Sequence, residues 1–319
     1  MTSADLLIAL ARSNLAASLA IALVFALRAP ARRLFGAHLA YALWLLPAAA
    51  ATGSLLPALC ETGWTAAIAF AGEWGRTWLS RGDWADCLVA LWLAGLAAHV
   101  ALASWRQARF EAAVRAGLAG PAVVGVFVPR MVAPADIALR HDEAERRLIR
   151  AHERAHMERG DVPLRALATA ASWLCWFNPL VHLAVAAFAE DQELACDATV
   201  MEQLPRSRRA YALALLHSRP EARCLAFGAT WRAGAHPLEA RIAMLSRRPL
   251  RQGRHTLGFA ALVALCTASF GAAWATSPDW PPFTASRAPR AAILMDLAPV
   301  PAAETAWVYR SLPRGGGGR

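Results

Sequence analysis

Residues 162–189 are apolar and long enough to cross a bilayer, and they separate two groups of metal-binding side chains. Before them stands His152-Glu153-Arg154-Ala155-His156. Residues i and i+4 share a helix face, so the two imidazoles can meet at one metal ion with Glu153 beside them. After them comes Glu193, with Asp197 again four residues on. Zinc takes two histidines and one carboxylate in many hydrolytic sites and keeps a fourth position for water. Glu193 would complete such a set, and Asp197 would orient a ligand imidazole through its other ring nitrogen. Were 162–189 to cross straight, the two groups would lie about 30 Å or more apart. Ligands of one zinc ion sit about 2 Å from it. The segment must therefore fold back. Trp176-Phe177-Asn178-Pro179 carries a turn signal in mid-run, which predicts a helical hairpin over 163–189.

The chain is 57% hydrophobic with a mean hydropathy of +0.33, which points to a membrane protein. Apolar runs predict transmembrane helices at about 6–27, 34–56, 87–104 and 255–276. The first is read as an uncleaved span rather than a signal peptide, since Asp5 and no basic residue precede Arg12. The 59–86 loop carries Trp64, Trp74, Trp78 and Trp84, aromatics suited to the headgroup level. Residues 105–254 break the pattern with 22 Arg against 15 acids and read as a water-facing domain. Within it, 120–134 predicts two short strands around Val128-Pro129-Arg130. Asp142–Arg159 predicts the helix that carries the metal motif, stopped by Gly160, and further short helices fall at 210–218 and 238–246.

The fold class expected is therefore mainly α, a polytopic membrane protein with about four transmembrane helices and an inserted zinc-peptidase domain with a small β element. The membrane domain takes 1–104, the peptidase domain 105–254 and the last span 255–276. A Pro-, Ala- and Gly-rich tail, 277–319, is expected to be disordered. The collar Arg247, Arg248, Arg251 and Arg254 reads as a membrane-edge anchor. His182 reads as a buried, hydrogen-bonded histidine rather than a catalytic one. The six scattered cysteines read as small core or lipid-facing residues.

All 33 basic residues are Arg, and the net charge is +10. Arg-rich inner loops on a lipid-facing protein account for that charge, so no direct nucleic-acid binding is expected. The turn at 28–33 and the domain at 105–254 hold 25 Arg, whereas the 59–86 loop holds two against four acids. The positive-inside rule then puts the zinc domain in the cytoplasm and the N-terminus, the loop and the tail outside.

The segments H-E-R-A-H, W-F-N-P-L-V and E-D-Q-E-L-A-C-D together resemble the BlaR/MecR-type antirepressor metallopeptidases, over roughly residues 1–276. The resemblance implies a gluzincin-like protease in the bacterial inner membrane. It implies His152, His156 and Glu193 as Zn2+ ligands, Glu153 as catalytic acid/base, and a cytoplasmic winged-helix repressor as protein substrate. Better-known members of that family sense β-lactams through an outer penicillin-binding domain. Here 43 residues follow the last predicted span and no S-x-x-K occurs, so the expectation is a sensor-poor relative. Its signal would arrive through the 59–86 loop, the tail or a partner. Membrane lipid is an implied partner, and a homodimer is compatible with the sequence. Tyr211 and His217 are the candidates for an oxyanion stabiliser.

Three rival readings differ in what they predict. A quality-control protease of the HtpX type would cut many unfolded proteins. A site-2-type intramembrane protease would bury its motif in lipid, which Arg150, Arg154, Glu158, Arg159 and Asp161 around the motif disfavour. A non-proteolytic signalling scaffold would hold zinc for structure alone and would not need Glu153 beside it.

Overall fold

In a computed structural model, the residues described are 2–56, 75, 77–79, 83–217, 236–245 and 252–276. Most of the 59–86 loop, the collar at 247–251 and the 277–319 tail lie outside them. Trp78 and Trp84 of that loop are exposed.

Helix α1 (Ser3–Leu34) opens on a capping box, in which Thr2 and Asp5 each accept the other's backbone N–H. It ends with Arg32 and Arg33, which complement the negative end of the helix dipole. The chain continues through α2 (Ala37–Ala42), α3 (Leu45–Leu55) and α4 (Trp84–Arg115). A final long helix, labelled α11 below, covers Gln252–Ala275. Among the described residues, α1, α4 and Gly253–Ala275 are the three helices long and apolar enough to cross a membrane.

The predicted span at 34–56 falls on α2 and α3, which a short turn at Leu43–Trp44 separates. Pro47 supplies the reason. It has no N–H to give to the carbonyl of Leu43, and its ring would collide with that carbonyl in a continuous helix. The short helix α3 still packs between α1 and α11. The Arg12 guanidinium donates to the Ser54 carbonyl at 2.9 Å, and a Cβ on Gly53 would strike the Phe270 backbone. At the other end, Gly258 lies against Phe35 and Leu39. So α3 and α11 run the same way, and α1 runs against both. Val24, Leu43, Leu46 and Leu262 fill the space between them. Ser3 meets Asp86, so α4 starts at the same level as α1.

After α4 comes an antiparallel pair, β1 (Ala122–Val124) and β2 (Arg130–Val132), with Ala122 opposite Val132. Gly125 has φ +95, and a Cβ there would strike the Val128 carbonyl, so the bend after β1 requires glycine. One turn of helix, α5 (Ile137–Arg140), leads into α6 (Glu143–Glu158). The Asp142 side chain accepts the Glu145 N–H and caps α6. Gly160, at φ 68, turns the chain straight into α7 (Asp161–Leu174).

The long apolar stretch doubles back. Between α7 and α8 (Pro179–Gln203) lies a turn at 175–178. Asn178 caps α8 by accepting the Leu180 N–H at 2.9 Å, and Pro179 takes the first helical position. The Asn178 amide also donates to Asn14 at 2.6 Å and to Ser18 at 2.9 Å, while Trp176 donates to the Trp92 carbonyl. These partners sit midway along the apolar parts of α1 and α4, so the hairpin tip reaches mid-depth of the helix bundle. Its polar tip group is satisfied there by side chains, as an apolar surrounding demands. His182 Nε2 donates to the Trp176 carbonyl, 2.9 Å away, but the residue is exposed rather than buried. Its bond is to the hairpin's own turn.

Helices α9 (Arg208–His217) and α10 (His236–Leu245) complete a second core with α6 and α8. There Leu148, Ala155, Cys196, Val200, Tyr211 and Leu245 pack together. A charged lock joins this part to α1. Arg28 and Arg32 both pair with Glu190, at 2.8 and 3.1 Å, and both face Asp191, at 2.9 and 2.7 Å. Asp191 is 1% exposed and also accepts from the Trp44 indole.

Candidate metal centre

The right-handed 3.6-residue repeat puts His152 and His156 on one face of α6, and the doubled-back hairpin brings α8 across it. Their Nε2 atoms lie 3.1 Å apart. Glu193 places one carboxylate oxygen 3.5 Å from His152 Nε2 and the other 3.6 Å from His156 Nε2. Ligands held about 2.0–2.1 Å from a tetrahedral zinc are about 3.3 Å from one another. The three donors thus already stand at the spacing that such an ion requires.

Each imidazole is turned by the group on its far nitrogen. The Asp161 carboxylate accepts from His156 Nδ1 at 2.7 Å. The same carboxylate takes a 3.3 Å bond from Tyr41 of α2 and ion-pairs with Arg159. His152 Nδ1 donates to the Tyr211 hydroxyl at 2.8 Å, and that hydroxyl donates to Asp197 at 2.6 Å. Asp197 itself is 3.5 Å from the ring, so it acts on His152 chiefly through Tyr211. Arg241 holds Asp197 with two bonds, at 2.7 and 2.8 Å. These contacts aim both Nε2 atoms at the space an ion would fill.

Cys196 offers a different set. Its Sγ and the two imidazoles have ligand atoms within 4.8 Å of one another. The thiol, however, lies 3.5 Å from Nδ1 of His152, the nitrogen already bonded to Tyr211, and donates to the His152 carbonyl. The Nε2 atoms point instead towards Glu193. The two-histidine, one-carboxylate set therefore fits a metal better, with Cys196 packed behind it.

Charge follows from this packing. Burial works against the charged form of Glu193, but His156, the bonds from both histidines and Arg241 outweigh it and hold its pKa well below the usual range. Burial likewise opposes charge on His152, but contacts with Cys196 and Glu193 push its pKa up to about 10. His156 moves up too, with Glu193 and Asp161 overcoming burial. Glu153 is 8% exposed, and burial raises its pKa against the lowering effect of the two imidazoles. Arg165 ion-pairs with Glu193 at 3.2 Å and donates to Gln192.

The centre opens into a cleft of about 1150 Å3, lined by Glu153, both imidazoles and Glu193 on one side and by Val124, Gly125 and Phe127 of the strand pair on another. The structure brings His152, His156, Glu193 and Asp197 together. It does not leave Tyr211 free for an oxyanion, since its hydroxyl is engaged twice, and His217 is bonded to Glu145 at 2.7 Å. Sequence reasoning missed Asp161, Tyr211 as an orienting group, Arg165, Arg241 and Cys196. Only Asp161 and Cys196 left a trace, one just past the helix stop and the other three residues after Glu193.

Comparison with known proteins comes down to one match. Residues 106–245 match the family model described as BlaR1 peptidase M56, a segment that contains the whole centre from His152 to Arg241. That segment is similar to the M56 peptidases, which is consistent with a BlaR/MecR-type family. No curated protein and no solved structure matches the chain.

Proposed function

We propose that this chain, with its M56 domain over 106–245 and its membrane-crossing helices, is a regulatory zinc metalloendopeptidase of the gluzincin type. It hydrolyses a peptide bond in a cytoplasmic winged-helix repressor, or in itself, in response to an envelope signal. The observation that carries the reading is the convergence of His152 Nε2, His156 Nε2 and the Glu193 carboxylate at zinc-ligand spacing, on the floor of a cleft. In this reading the two imidazoles and Glu193 hold the ion. A zinc ion there supplies Lewis-acid polarisation of the scissile carbonyl and an acidified water.

Glu153 is the general base. Its raised pKa suits it to take a proton from the attacking water and pass it to the leaving amine. Asp161, and Asp197 through Tyr211, fix the imidazole tautomers. The protein lies in the bacterial inner membrane with the peptidase domain in the cytoplasm and the N-terminus and tail outside. Arg28, Arg32 and Arg33 at the domain end of α1 support that orientation.

The test is a proteomic comparison of cells carrying the wild-type chain or Glu153→Gln. One DNA-binding protein accumulating in the variant supports the antirepressor reading. Many accumulating membrane proteins favour an HtpX-like quality-control protease. An unchanged proteome favours a signalling scaffold and sinks the peptidase reading.

A further inference from the structure

A second cavity, of about 800 Å3, shares no lining residue with the metal cleft. Arg32 and Arg33 reach it from the end of α1, His38 from α2, Arg208 from the start of α9 and His255 from the first turn of α11. We propose that it binds a phosphate group, of the kind an anionic phospholipid headgroup or free phosphate presents. The proposal stands apart from the peptidase reading, since it concerns other residues and a readout other than hydrolysis.

Charge argues for an anion. Three arginines, Arg32, Arg33 and Arg208, line the cavity against two acids, and of these Asp197 is already held by its two bonds from Arg241. Arg32 is committed to Glu190 and Asp191. Arg33 has no ion-pair partner among the described residues, and it is exposed. A recess whose arginines outnumber its acids attracts a ligand of negative charge.

Position argues for the phosphate level of a bilayer. The apolar run of α1 gives way to Arg28, Arg32 and Arg33, and that of α11 begins only after Arg254 and His255. Gly258 abuts Phe35 and Leu39, so the two boundaries lie at one level. The cavity opens there, where lipid phosphates meet basic pockets between membrane helices.

The full chain, purified in a neutral detergent, is mixed with micelles doped with phosphatidylglycerol or with phosphatidylcholine, and bound lipid is read by native mass spectrometry. Phosphatidylglycerol is retained over phosphatidylcholine, and Arg33→Glu weakens that retention roughly five- to thirtyfold. Arg147→Glu, on exposed α6 and away from the cavity, makes the same charge change and leaves retention within about twofold. A parallel arm titrates inorganic phosphate without lipid. Arg33-dependent phosphate binding identifies a soluble ligand, and Arg33-dependent lipid binding that phosphate does not displace identifies a headgroup; either upholds a phosphate site. Equal retention of the two lipids, or retention and phosphate binding that Arg33→Glu leaves unchanged, overturns it.

Discussion

Replacing Tyr211 by Phe isolates one hydroxyl in the candidate centre. The ring is 2% exposed and packs among Leu148, Ala155, Cys196 and Val200, and Phe keeps that packing. What goes is the oxygen between His152 Nδ1 and Asp197, at 2.8 and 2.6 Å. Asp197 cannot swing in to replace it, because Arg241 pins both its oxygens and leaves it 3.5 Å from the ring. His152 is then free to rotate and to place its proton on Nε2. Loss of such an orienting partner lowers metal affinity about 10- to 100-fold, or about 1.4–2.8 kcal/mol. The carboxylate stays bonded to Arg241, so folding stability falls by only about 1 kcal/mol. Zinc competition against a chromogenic chelator, run on the purified full chain, reads the first effect. Thermal unfolding in excess chelator reads the second. A zinc affinity within about twofold of the wild type would refute the reasoning, because the hydroxyl would then not be what orients His152.

Zinc affinity should climb with pH. In the metal-free centre, contacts with Cys196 and Glu193 push His152 up and Glu193 and Asp161 push His156 up, so an ion competes with protons for these nitrogens. Binding near neutrality therefore releases protons and strengthens as pH rises; calorimetry in buffers of different ionisation enthalpy would detect the release, and zinc binding with no proton release contradicts the assignment. Asp191→Ala takes one of two carboxylates away from Arg28 and Arg32 in a nearly buried lock, which costs about 3 kcal/mol. A melting temperature unchanged in detergent would show that the lock carries no stability. Asn178→Ala removes a helix cap and two bonds to α1, for about 2 kcal/mol. Asn14→Ala added to it should cost little more, and full additivity in that double-mutant cycle would mean the two amides do not interact.

Local features were legible because they depend on local chemistry. Asp142, Gly160, Asn178 and Pro179 mark their helix ends whatever surrounds them. His-Glu-x-x-His declares its shared face through the helical repeat, and the return of the apolar stretch at Trp176–Pro179 follows from its turn residues. The turn at Leu43–Trp44 within the 34–56 run is not announced by hydropathy, which counts apolar residues and does not weigh Pro47.

What the order of residues could not reveal is which distant side chains meet. Tyr41 comes from a short membrane-side helix, Tyr211 from α9 and Arg241 from α10, yet all three reach the same few carboxylates around two imidazoles. Nothing periodic announces such contacts, since each depends on how whole helices cross. Sequence alone thus pointed to the side chains that converge and to the need for a hairpin. The tertiary packing decided that Asp161 rather than Asp197 bonds an imidazole directly, and that Cys196 stands behind the centre, because orientation is set by the groups on a ring's far nitrogen, and those arrive from other helices.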